Sequence, residues 1–188
     1  ACDISASMLE LARAKVGEAV PLSVADMRDL PAFGEFDLVW ALDDAVNYLL
    51  SSEELGEALS GMRANLAPGG LLMFDVNTLR AYRSFFAETE RVERGGRKLV
   101  WRGQSSADVE PGAISEARFE VEVPAGAETD VETHVHRQRH FPEAEVLGLL
   151  DESSLECLDV FGHGFDAILE QPVDELVHTK VVYMARRA

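Results

Sequence analysis

At 188 residues and 47% hydrophobic content, the chain has one domain's length and enough apolar side chains for a sizeable core. Thirty-four acidic against 17 basic side chains give a net charge of −17, a field that repels phosphate backbones and argues against nucleic acid as partner or substrate. No apolar run reaches the roughly 20 residues that span a bilayer and no signal peptide is recognisable, so neither membrane association nor secretion is expected.

The opening "ACDIS" reads as the tail of a buried strand over 1–5, with Asp3 where that strand would leave a sheet. Ser5 or Ser7 then caps a helix over 6–18, with Met8, Leu9, Leu11 and Ala12 on its apolar side. A strand over 21–25, a loop "DMRDLPAFGE" and a strand over 36–41 follow. "SSEELGEALSGMRANL" is an amphipathic helix with Ser52 as N-cap and Glu53 and Glu54 in its first turn. "APGG" is read as the stop that ends it, and "LLMFDV" as the next buried strand. This alternation of short apolar runs with helical patterns marks a parallel α/β sheet.

After residue 82 the texture changes. "ETERVER", "RKLVWRGQSSAD", "ISEARFEVEV" and "VETHVHRQRHF" are antiparallel strands joined by turns at "GG" and "PAGAETD". A helix over 142–152, a strand near 155–161 and a last strand "HTKVVYMARR" close the chain. Residues 82–141 are too short for an independent domain and are expected to be an inserted antiparallel lid on a single domain, 1–188. Cys2 and Cys157 are too few and too far apart for a disulfide framework or a zinc knuckle, which fits a reducing cytoplasm.

In open parallel sheets, ligands bind beyond the carboxyl ends of the strands. Three such ends carry acids here: Asp3, Asp26, and the Asp43–Asp44 pair. Asp is also a common loop and cap residue, so each alone favours that plainer role; the recurrence is the signal. A carboxylate after one strand can accept both hydroxyls of a ribose, at about 1.5–3 kcal/mol per charged hydrogen bond. The next can accept an adenine amine, with Ile4 and Met27 offering apolar faces to the ring. The set describes an adenosine site.

"CDISASMLELAR", "ADMRDLP", "FDLVWALDDAVNYL" and "LAPGGLLMFDVNT" resemble, in order and spacing, the later motifs of class I S-adenosylmethionine-dependent methyltransferases. The resemblance is closest to bacterial small-molecule members with an antiparallel lid. It implies a Rossmann-like, mostly parallel α/β sheet whose antiparallel C-terminal strand, "HTKVVYMARR", lies at the sheet edge. It further implies S-adenosyl-L-methionine as cofactor, with Asp3 on the ribose and Asp26 and the Met27 backbone at the adenine. Ala41 and Leu42 would then lie near the methionine part and the transferring methyl. The family's first strand and glycine-rich loop have no counterpart before Asp3, and the chain does not begin with Met. The expectation is a methyltransferase entered at its second strand, the earlier part lying outside these residues. A nicotinamide-dependent oxidoreductase is the alternative, because an acid after the second strand also binds ribose in dinucleotide folds. A non-catalytic remnant or partner subunit is a third reading.

On the strand "VETHVHRQRHF", Glu132, His134, His136, Gln138 and His140 share one face. A His-x-His pair with a nearby Glu can ligate a metal, but no distant ligand set matches, and no metal is expected. The face suits contact with a methyl acceptor, with one His taking a proton near neutral pH. Asp44, Tyr48, His134, His136 and His140 are the candidate acid–base residues for an amine or hydroxyl acceptor. Trp101 and Phe119 either cover an apolar substrate or pack the sheet. The acceptor is expected to be a small molecule; homo-oligomerisation is left open.

Overall fold

A computed structural model describes residues 1–95, 97–125, 128–164 and 168–188. The two turns expected at "GG" and "PAGAETD" include residues 96 and 126–127, which lie outside the described residues. The elements in chain order are β1 (Cys2–Asp3), α1 (Ala6–Val16), β2 (Ser23–Val24), β3 (Phe36–Ala41), α2 (Ser52–Ala64), β4 (Leu66–Asn77) and α3 (Leu79–Ser84). Then come β5 (Thr89–Arg94), β6 (Arg97–Gly103), β7 (Ile114–Ala125), β8 (Glu128–Arg139), α4 (Glu143–Glu152), β9 (Leu155–His163), β10 (Leu169–Glu170) and β11 (Lys180–Arg187). Short 3₁₀ turns occupy Met27–Asp29 and Ala45–Tyr48.

Among the described residues, three sheets result. β1 and β2 form a parallel pair, β10-β9-β11-β4-β3 form a five-stranded sheet, and β5-β6-β7-β8 form an antiparallel sheet. Among the described residues, parallel pairing is confined to β1–β2 and β3–β4. β11 runs antiparallel, as expected, but lies between β4 and β9 rather than at the edge. Its composition explains this. Val181, Val182, Tyr183 and Ala185 are all buried, and a near-continuous apolar run suits a strand covered on both faces.

The core fills the space between the five-stranded sheet and helices α2 and α4. Leu55, Ala58, Leu59 and Met62, at i, i+3, i+4 and i+7, give α2 a buried stripe against Leu72, Phe74, Val146 and Leu150. Burying each such side chain contributes roughly 1.5–3 kcal/mol. Phe74 and Tyr183, register partners on β4 and β11, stack with ring centroids 5.1 Å apart.

Three expectations about the N-terminal half are corrected. The strand expected to be buried over 1–5 shortens to Cys2–Asp3 and is exposed, because no strand of the five-stranded sheet pairs with β1 or β2. α1 likewise has no buried residue, and Ile4, Met8, Leu11, Leu38 and Trp40 stand exposed. The N-cap of α2 is Ser51, not Ser52: Ser51 Oγ accepts the Glu54 N–H at 3.1 Å. "APGG" does not end that helix either. Asn65 does, its side chain donating to the Gly61 and Pro31 carbonyls at 2.9 Å. "APGG" is instead a bulge inside β4, where the β3–β4 register jumps from Phe36↔Leu66 to Leu38↔Leu71. At Gly70 a Cβ would lie 2.8 Å from the Phe36 carbonyl oxygen, so the close approach of β3 requires glycine there.

Candidate active site

β3 ends at Ala41 and, past Leu42, the chain turns through two consecutive left-handed residues, Asp43 (φ 66°) and Asp44 (φ 55°). The Asp75 carboxylate, near the end of β4, holds this turn. It accepts the Asp43 N–H at 3.0 Å and the Asp44 N–H at 2.6 Å. Lys180 Nζ, from the start of β11, reaches Asp43, Asp44 and Asp75 at 3.1, 3.2 and 3.4 Å. Burial pulls the lysine pKa down, but the Asp75 and Asp44 charges outweigh it and hold it above the usual value.

The inner face of β8 packs on this turn. Gln138 donates one N–H to Asp44 Oδ2 and accepts the Asn77 side-chain N–H at 2.9 Å. Asn47 in turn accepts the Asn77 backbone N–H and donates to the Arg139 carbonyl, both at 2.9 Å. One register step outward, His136 Nδ1 lies 2.6 Å from Tyr48 Oη. The His136 ring also meets Trp101 and Phe119, with centroids at 5.2 and 6.4 Å. Burial, then the nearby His134, lowers the His136 pKa below its ordinary 6.5, with Asp44 opposing. Burial raises that of Tyr48. At neutral pH the pair is therefore a protonated phenol beside a neutral imidazole.

Asp44, Tyr48 and His136 are thus brought together. His134 lies farther out on the same face and is exposed. His140 is not part of the group, although it shares the strand face. It is 1% exposed, its Nδ1 accepts the Gly112 N–H at 3.1 Å, and its Nε2 faces Glu175 at 2.8 Å. Since Nδ1 accepts, Nε2 carries the proton and donates it to Glu175. Both nitrogens are committed, which makes His140 a structural residue and corrects its assignment as an acid–base candidate. Sequence reasoning missed Asp75, Asn77 and Lys180, and it placed Gln138 on this face without seeing its bond to Asp44. Asp75 sits near a strand end like the other acids and obeys the same rule; Lys180 carries no local signal.

At the ends of β1 and β2, Asp3 and Asp26 are neighbours, since Asp3 pairs with Val24 and accepts the Ala25 N–H at 3.1 Å through its carbonyl. Asp3 Oδ1 accepts the Ser5 N–H at 2.7 Å, and Ser5 caps α1 through Met8. The carboxylate is fixed, exposed, and free at Oδ2 among the described residues. Asp26 is engaged more fully. It caps the Met27–Asp29 turn and takes the Arg28 guanidinium on both oxygens, at 2.5–3.1 Å, and this bond lowers its pKa. Arg28 also reaches Glu54 at 3.0 Å, tying the end of β2 to the first turn of α2.

Residues 1–70 match the family model described as a methyltransferase domain. Over 147 residues the chain is 29% identical to YqeM of Bacillus subtilis, covering 76% of this chain and 58% of that protein. Over 162 residues it is 26% identical to the dTDP-3-amino-3,4,6-trideoxy-alpha-D-glucopyranose N,N-dimethyltransferase of Streptomyces venezuelae, covering 82% and 61%. The chain therefore spans about three fifths of the length of these relatives. An S-adenosylmethionine-dependent methyltransferase from Clostridium acetobutylicum superposes with a TM-score of 0.80 at 20% identity, over 98% of this chain and 73% of that one. The fold is that of the class I methyltransferases.

In a methyltransferase fold the residues at the ends of β1 and β2 fit S-adenosylmethionine. Asp3 offers a fixed carboxylate with one open oxygen, and Ile4 exposes an apolar side chain beside it. Asp26 is an acceptor at the end of β2 whose two oxygens are both engaged by Arg28, so a ligand donor there would replace or share one of those contacts. Among the described residues no three His, Cys, Asp or Glu side chains converge on a common metal position. No helix there is long and apolar enough to cross a membrane.

Proposed function

We propose that the protein transfers a methyl group from S-adenosylmethionine to an amine of a small molecule, with amino sugars as the first class to test. When bound, the donor supplies an electrophilic methyl on its sulfonium. Asp3 holds the ribose, Ile4 and Met27 flank the adenine, and Asp26 accepts the adenine amine in place of one of its Arg28 contacts. Ala41 and Leu42 lie along the donor's methionine side. Residues 82–141 act as the lid, with Trp101 and Phe119 covering the acceptor.

The observation that carries the reading is the Tyr48–His136 hydrogen bond, made between the turn after β3 and the inner face of β8. Tyr48 takes the acceptor's proton at Oη while giving its own to His136 Nδ1. His136 starts neutral because its pKa is lowered, so it can receive that proton. The strength of this base favours nitrogen over oxygen. An alkylammonium near pKa 10.4 lies about four units above an ordinary imidazole, or roughly 5 kcal/mol. A hydroxyl near the 15.7 of water lies about nine units above, beyond what an unassisted imidazole supplies. The dimethyltransferase relative, whose name specifies an amino sugar, supports the same class.

The test uses the full-length protein with donor and nucleotide-linked amino sugars or simple amines, following S-adenosylhomocysteine formation. Amines should turn over and matched hydroxyl compounds should not; the reverse preference would refute the nitrogen assignment. Asp3→Ala should weaken donor binding in calorimetry by about 1.5–3 kcal/mol, and unchanged affinity would remove Asp3 from the ribose.

A further inference from the structure

We infer that Lys180 is a positioning residue, pinning the left-handed Asp43–Asp44 turn that aims Asp44 at Gln138 and sets the seat for Tyr48. The inference rests on the methyl-transfer reading for its kinetic arm only. Left-handed backbone is unfavourable for residues with a Cβ, Asp tolerating it better than most. Two such residues in succession persist only where the surroundings over-determine them.

Two groups do so here. Asp75 takes both backbone N–H groups on its two carboxylate oxygens. That arrangement brings three carboxylates together, and Lys180 Nζ is the cation within 3.1–3.4 Å of all three. Exposure separates their roles. The Asp43 side chain is 98% exposed, so its pairing is peripheral, whereas Asp44 and Asp75 are 24% and 9% exposed and are screened much less. Without Lys180, Asp75 would face Asp44 uncompensated while still carrying both N–H bonds. Lys180 sits in register with Asn77, whose side chain donates to the same Gln138 that donates to Asp44. β11 thereby fixes a turn that follows β3, two strands away in the sheet.

The test compares full-length parent, Lys180→Met, and Lys180→Met with Asp43→Gly. Glycine accepts the left-handed conformation freely, and the change removes the outermost carboxylate. Hydrogen exchange reads the turn directly. In Lys180→Met the Asp43 and Asp44 amides should exchange at least tenfold faster, while the β4–β11 ladder keeps its protection. Kinetically, kcat should fall at least tenfold with the donor Kd within twofold, and the double variant should recover most of the loss. Unchanged amide protection at Asp43 and Asp44, or no recovery in the double variant, would overturn the inference. Should Lys180→Met not fold, the double variant decides: a folded protein with a protected Asp44 amide supports the pin, and an unfolded one refutes it. A parent inactive on every amine would sink the proposed function, while the exchange measurement still decides the role of Lys180.

Discussion

Tyr48 and His136 form the contact on which the proposed chemistry depends, and they come from distant parts of the chain. General acid–base groups typically contribute about 10²- to 10⁴-fold. Tyr48→Phe is therefore expected to lower kcat by about two orders of magnitude with donor affinity unchanged, as turnover and calorimetry would show. The pH dependence follows from the sign of the His136 shift. A lowered pKa keeps the imidazole neutral to more acidic pH, so the acid limb of kcat should lie below the ordinary 6.5. His136→Ala should abolish that limb. His140→Ala should behave differently. It leaves the Gly112 N–H and a Glu175 oxygen without their buried partner, a loss on the order of 3 kcal/mol. At this chain length that is roughly 6–12 °C in Tm, read by thermal denaturation. Burial pulls the Glu175 carboxyl pKa up, yet the bond to His140 holds it below its usual value. The stability this supplies is present above the unfolded carboxyl pKa and lost as pH falls through the depressed one. The His140 variant should lose that acid-side dependence.

Among the elements, those whose signal is local were legible in the sequence. Period-2 alternation placed Glu132, His134, His136, Gln138 and His140 on one face of β8, and the burial of Gln138 and His140 with the half-burial of His136 agrees with it. What alternation does not encode is depth along the strand, which separates His136 at the site from His140 in the interior. "APGG" misled because Pro and paired Gly end a helix and make a bulge by the same properties, and only the close approach of β3 distinguishes the two. α3 went unread, although Thr78 caps it through the Ala81 N–H at 3.4 Å. Lys180 was illegible for a stronger reason: its partners are 105 to 137 residues away, and no local pattern reports such a meeting. One junction between elements can be tested by a single methyl group. A Cβ at Gly103, the end of β6, would lie 2.4 Å from the Phe86 backbone. Gly103→Ala should destabilise by about 1–3 kcal/mol, whereas Gly148→Ala in α4 meets nothing within 4 Å and should stabilise by about 0.4–1 kcal/mol. Paired urea denaturation curves would show the opposite signs.

For the molecule as a whole, the position of β11 sets the order in which the five-stranded sheet can be completed. β4 leaves the ribosome long before β11 is made, and β9 also precedes it, yet these two strands are neighbours of β11 and not of each other. Until β11 arrives, both present unpaired backbone edges, the kind that invite association with other chains. The strand that closes this lane begins with Lys180. The act that seals the sheet and the act that fixes the Asp43–Asp44 turn are therefore one event in time. A nascent chain that stops short of that strand should be both sticky and inert. Pulse-labelled refolding is expected to show protection of the Asp43 and Asp44 amides rising in step with that of the β4–β11 ladder. A ladder that forms well before the turn is protected would show the two to be separable.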